Sequence, residues 1–83
     1  MIERASLQAA IIQEIQRLLD MEDEIDIEEE LESLGLDSNL SIKLFVRLEE
    51  RFSIQFSDED LVDETILANV EALSECIIRK IAA

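Results

Sequence analysis

The sequence predicts an all-α protein, a small four-helix bundle with three main helices, one short helix and a long loop between the first and second. Three observations carry this. The chain has one glycine and no proline among 83 residues, so it lacks the punctuation of a turn-rich sheet protein. Apolar residues recur every three or four positions in three separate stretches. Asp37-Ser38, Ser57 and Asn69 stand ahead of the later helical stretches as cap signals. A chain of this length buries about 60–65% of its unfolded surface, which fits one domain over 1–83 with a limited core. A hydrophobic fraction of 48% suffices for folding, and three Phe without Trp or Tyr leave the core to Leu, Ile and Val.

The first helix spans about 4–20. Leu7, Ile11, Ile15 and Leu18 line one face, and Ile12 and Leu19 widen it. Arg17 falls near its end, where a cation suits the helix dipole. Residues 21–36 form a carboxylate-rich loop, interrupted by Ile25, Ile27, Leu31, Leu34 and Leu36. A disordered linker would not need those apolar residues. They predict an ordered loop pinned to the core, with a helical turn near 28–33. Gly35 precedes the second helix, where the backbone needs an unusual turn.

Asp37 or Ser38 supplies the cap oxygen of the second helix, which runs to about Arg51. Leu44, Phe45, Leu48 and Phe52 form its buried stripe. Lys43, Arg47 and Arg51, four residues apart, form a basic stripe on another face. Ser57 followed by Asp58-Glu59-Asp60 starts a short third helix, with Leu61 and Val62 as its anchors. Asn69 caps the last helix, about 70–82, whose core face is Val70, Leu73, Ile77 and Ile81. Arg79 and Lys80 sit in its last turn. No internal repeat is visible.

Twenty-one acidic against seven basic residues give a net charge of −14. Phosphate backbones need a positive footprint, so nucleic acid is excluded as a ligand, and an acidic membrane surface would repel the chain. The charge suits protein partners with basic patches, met in a salt-sensitive encounter; the plain alternative is that it only confers solubility. With no His and one Cys, neither an internal disulfide nor a Cys/His zinc site can form. The N-terminus lacks a signal pattern and no apolar run is long enough to span a membrane. The expected setting is cytoplasmic. Met1 and the lack of Pro-rich linkers favour a complete small protein over an excised domain.

Without His, Ser38 has no base to activate it and a catalytic triad cannot be built. The carboxylate runs 23–32 and 58–60 lack the glycine a calcium loop requires, so no metal site is expected. Cys76, beside Leu73 and Ile77, reads as a small core residue. Ser38 is left as the one distinctive group. A serine at a helix start is commonly just a cap. A phosphate attached there, however, would meet free backbone N–H groups at the positive end of the helix dipole.

Leu34-Gly35-Leu36-Asp37-Ser38 resembles the Leu-Gly-x-Asp-Ser segment of the acyl and peptidyl carrier protein family. Leu44, Leu48-Glu49-Glu50 and Phe52 match the family's second helix. Ile54, Phe56 and the stretch 57–61 resemble the start of its third, and Val70, Leu73 and Ile77 fit its last. The resemblance covers about residues 5–82. It implies a bundle of acyl-carrier-protein type and a freestanding acyl or aminoacyl carrier, not an enzyme.

Ser38 would carry a covalent 4′-phosphopantetheine arm, transferred from coenzyme A with magnesium by a phosphopantetheinyl transferase. The arm's thiol would hold intermediates as thioesters. Asp37, with Gly35 and Leu36, would be recognised by the transferase. The other implied partners are a loading ligase or acyltransferase and downstream synthases. A monomer suits such a shuttle.

The segment departs from fatty-acid carriers in two places. Asn39, followed by Leu40, stands where Leu is common, and Lys43 where an acid is common. A dedicated secondary-metabolite, polyketide or nonribosomal peptide pathway is therefore expected. Docking through Asn39, Leu40, Ile42, Lys43, Val46, Arg47, Glu49 and Glu50 is one reading of the second helix. In the other, its basic stripe pairs with Glu residues of the acidic loop. A hydrophobic cargo could lie along Phe45, Leu48, Phe56, Leu61 and Val62, which could equally form a dry core. The competing function is an arm-free acidic docking or regulatory protein with a carrier-like fold.

Overall fold

The computed structural model describes residues 3–82 and is helical throughout its regular elements. Four α-helices follow in order: α1 (Arg4–Leu19), α2 (Ser38–Phe52), α3 (Asp58–Leu61) and α4 (Val70–Ala82). The helix positions agree with the apolar spacing. α1 packs against both α2 and α4. Leu7, Ile11 and Ile15 of α1, Leu44, Phe45 and Leu48 of α2, and Val70, Leu73 and Ile77 of α4 close a single core. Phe45 meets Phe56 edge to face at 4.5 Å, the favoured geometry for two rings.

α1 and α2 each end with a left-handed residue that is not glycine. Asp20 has φ 51° and Ser53 has φ 54°. At α1 the Met21 N–H reaches Gln16 O (3.0 Å) and the Asp20 N–H reaches Arg17 O (3.4 Å). These two bonds occupy carbonyls that the helix end would leave free.

The acidic loop is ordered, as its apolar residues imply. Ile25, Leu31 and Leu36 are buried. The Leu31 N–H donates to Ala68 O (3.1 Å), and Ile27 O accepts from the Glu71 N–H (3.0 Å), tying the loop to the start of α4. The helical turn is a single 3₁₀ turn at Glu32–Leu34, later than expected. The anchoring of Leu31 sets its place: Leu31 O accepts from the N–H groups of both Leu34 and Leu36.

The structure corrects several core assignments. Leu61 and Val62 do not anchor α3; both are exposed. A helix of four residues cannot aim consecutive apolar residues at one face. Ile81, in the last turn of α4, is also exposed, and Phe52 is only half-buried. α3 is held instead by polar contacts. Ser57 and Asp60 form a reciprocal capping box. Lys80 Nζ pairs with Asp60 Oδ2 at 2.6 Å and stands 5.4 Å from the Phe56 ring centre. This arrangement joins an ion pair to a cation–π contact.

Glu14 falls on the same face of α1 as Leu7, Ile11 and Leu18, a carboxylate among apolar residues, and is 5% exposed. Arg17, Arg47 and Arg51 converge on its carboxylate at 3.5, 3.6 and 3.2 Å. Arg47 and Arg51 of the basic stripe thus pair with α1 rather than with the acidic loop, while Lys43 is exposed. Burying a carboxylate is costly unless its charge is matched; three guanidinium groups supply that match and link two helices.

Candidate functional site

The start of α2 is built in three steps. Leu36 is buried and anchors the chain. Gly35 before it takes φ 102°, a conformation that a β-carbon makes unfavourable. An added Cβ there would meet nothing within 4 Å, so the glycine serves the turn and not a close approach. Asp37 then acts as N-cap: its Oδ1 accepts the Leu40 N–H at 2.8 Å, and its carbonyl accepts the Ser41 N–H and hydroxyl, both at 2.8 Å. The cap is therefore Asp37. Ser38, the first helical residue, is relieved of that role and exposed.

Ser38 opens onto a groove of about 1050 Å³. Leu36, Ile42, Phe45, Leu61, Val62 and Leu67 supply its apolar wall, while Glu30, Glu32, Asp37, Asp63 and Glu64 supply the charge. No basic side chain lines it. Of the residues considered for a hydrophobic cargo, Phe45, Leu48 and Phe56 are buried in the core, whereas Leu61 and Val62 stand in solvent. Phe45 nonetheless shares the groove wall with Leu61 and Val62.

The docking residues suggested for α2 separate by environment. Asn39, Ile42, Lys43, Val46 and Glu50 are exposed, and Leu40 is half-buried. Arg47 contacts Glu14. Glu49 uses one carboxylate oxygen to accept the Phe56 N–H at 2.8 Å.

Lys80, followed by the Ser57 N–H, holds the Asp60 carboxyl below its ordinary pKa. Bonds from Thr65 do the same for Asp63. Burial, reinforced by the Asp60 charge, pushes the Cys76 thiol up despite Lys80 and Arg79 nearby, so it is an unreactive core thiol at neutral pH. Among the described residues no cluster of three potential ligands could hold a metal ion. None of the described helices is long and apolar enough to cross a membrane.

Sequence spacing missed the roles of Glu14 and Lys80. Glu14 carried two visible signals, its place on the apolar face three residues after Ile11 and its place three residues before Arg17. Lys80 carried none that pointed to Asp60.

Ser38 is thus an exposed serine beginning a helix, beside an open groove lined by carboxylates. The chain matches the family described as the phosphopantetheine attachment site over residues 9–77. It belongs to that family. Its fold is similar to that of an acyl carrier protein from Thermotoga maritima, with a TM-score of 0.80 and 24% identity over 98% of this chain and 93% of that one. No curated protein matches it. The chain is accordingly a carrier domain whose cofactor is 4′-phosphopantetheine. Carriers of this family generally work through modifying and partner enzymes and do not catalyse.

The residues present fit that group. The hydroxyl is accessible, the cap is provided by a neighbour, and the first turn of α2 has N–H groups without intrahelical acceptors for a phosphate.

Proposed function

We propose that residues 1–83 act as one non-catalytic carrier domain with Ser38 as its attachment residue. The observation that carries this reading is Ser38 exposed at the first position of α2, immediately after the Gly35 turn and the Asp37 cap. In the loading step Ser38 Oγ forms a bond to the phosphorus bearing the pantetheine, the pyrophosphate linkage of coenzyme A breaks, and adenosine 3′,5′-bisphosphate leaves. The hydroxyl proton passes to a base of the transferase. When bound, the arm supplies a terminal thiol that holds acyl or aminoacyl intermediates as thioesters.

Asp37 fixes the helix start and presents the serine; Gly35 and Leu36 fix the turn that Asp37 caps. The departures at Asn39 and Lys43 support service in a dedicated secondary-metabolite pathway, of polyketide or nonribosomal peptide type. A loading ligase or acyltransferase and downstream synthases would be the further partners. The charge of −14 disfavours self-association and supports a monomer. The lack of a membrane-crossing helix among the described residues is compatible with a cytoplasmic setting.

The test is intact mass after incubation with coenzyme A, magnesium and a phosphopantetheinyl transferase. The wild type should gain one phosphopantetheine and Ser38→Ala none. A folded wild type that gains nothing overturns this reading in favour of an arm-free docking protein.

A further inference from the structure

Of the seven basic residues in the chain, three arginines meet at one carboxylate. Glu14 of α1 gathers Arg17 of its own helix with Arg47 and Arg51 of α2. The match is incomplete in charge, because three guanidinium groups against one carboxylate leave a positive surplus. It is incomplete in bonding too. Charge-assisted bonds of this kind are commonly about 2.7–2.9 Å long, whereas these approaches are 3.5, 3.6 and 3.2 Å. Arg17 and Arg51 share Glu14 Oε1, and Arg47, at 3.6 Å from Oε2, is too far for a hydrogen bond. Arg51 turns a second donor to Gln13 Oε1 at 3.3 Å. A guanidinium carries a fork of several N–H donors, so most of these donors have no acceptor among the described residues. The three side chains are 67%, 46% and 37% exposed.

We propose that Arg17, Arg47 and Arg51 form a seat for a phosphate dianion at the seam of α1 and α2, with Glu14 as the buried positioning residue. A carboxylate ligand would bring one charge and leave the surplus unbalanced. A phosphate group brings about two charges at neutral pH and three strong acceptor oxygens, one for each guanidinium. The surroundings select a compact ligand. Lys43, one turn before Arg47, adds an exposed cation, but Glu50 is exposed on the same helix and Asp20 and Glu22 share a cleft with Arg17. The positive zone is therefore small, and an extended acidic strand would meet carboxylates at its edges. More distant charge of the chain is screened beyond about 8 Å at physiological salt.

The seat is separate from the groove at Ser38. With 3.6 residues per turn, Arg47 lies about 140–160° around α2 from Ile42 and Phe45, which line that groove. The inference does not rest on the reading of Ser38.

The test is titration of the intact chain with inorganic phosphate, ionic strength being held constant with chloride, read by the arginine side-chain N–H signals in NMR. The signals of Arg17, Arg47 and Arg51 should shift together and saturate, while those of Arg4 and Arg79 stay in place. Affinity should fall as the pH is lowered and the dianion becomes a monoanion. Arg47→Gln should weaken binding about tenfold and Arg17→Gln about threefold; Arg4→Gln should change nothing. Arg17 lies on the same helix as Glu14, so its loss leaves the link between α1 and α2 intact and the test stands even where Arg47→Gln unfolds.

Adenosine 3′,5′-bisphosphate separates two sources of the dianion. Tighter binding than that of inorganic phosphate assigns the seat to a nucleotide, and equal or weaker binding assigns it to free phosphate. Shifts that fail to saturate, or that chloride alone reproduces, reduce the effect to ionic screening and overturn the proposal. So does wild-type affinity in Arg17→Gln. Equal binding of acetate also overturns it, because the arginines then take carboxylates, such as the acidic side chains of another protein, as readily as phosphate.

Discussion

α2 and α3 both flank the groove at Ser38, and they are held in opposite ways. α2 buries Leu44, Phe45 and Leu48, and its Arg47 and Arg51 clasp Glu14 of α1. α3 buries nothing of its own and rests on a capping box and one ion pair. The helix that begins with the serine is thus part of the rigid core. The one facing it across the groove is held by contacts that exchange readily with water, at the low-stability end of a folded protein. A carrier needs both: a fixed attachment point and a margin that can adapt to successive enzymes.

The comparison breaks most sharply in the core. Leu48→Ala should cost about 2–5 kcal/mol in urea unfolding, while Val62→Ser should stay within about 0.5 kcal/mol of wild type. Equal effects would show that α3 carries core weight after all.

The clasp on α2 comes next. Arg47→Glu sets a carboxylate against Glu14 and should cost about 1–2 kcal/mol, whereas Lys43→Glu, on an exposed side chain, should be neutral within about 0.5 kcal/mol. Thermal unfolding of the pair measures the difference.

A smaller effect is expected at the end of α2. Ser53→Gly removes the β-carbon from a left-handed position and should stabilise by up to about 1 kcal/mol. A loss in chemical denaturation would refute it.

The subtlest effect lies in α3. The Asp60 pKa is depressed below 3.8, so its contribution is present above that pH and is lost as the pH falls through the lower folded value. Amide signals of 57–62 should therefore persist below pH 3.8, and Lys80→Met should move their loss to higher pH. An unmoved acid transition would contradict the pairing.

Much of this contrast was legible in the sequence. Helical spacing located α1, α2 and α4, and the single glycine marked the turn before Ser38. Ser57-Asp58-Glu59-Asp60 announced α3 by its capping chemistry. The same chemistry hid how α3 is attached. A helix of one turn has no periodicity to read, so apolar Leu61 and Val62 looked like anchors when they are surface. Glu14 escaped because the partners that justify its burial come from another helix. Its meaning exists only after α1 and α2 meet. The exposed, capped start of α2 was legible because its parts are neighbours in sequence; the groove beside it was not, because its walls come from two distant segments.

The two backbone bridges from the acidic loop, Leu31 N–H to Ala68 O and Glu71 N–H to Ile27 O, have a consequence for the time the serine spends in place. They fasten the span leading into α2 to the segment leading into α4, like two rungs between rails. The beginning of α2 cannot drift without drawing the beginning of α4 along. In deuterated solvent, the amides of Leu31 and Glu71 should keep their protons far longer than those of the carboxylate-rich residues around them. That slow clock would record how seldom the start of α2 leaves its station.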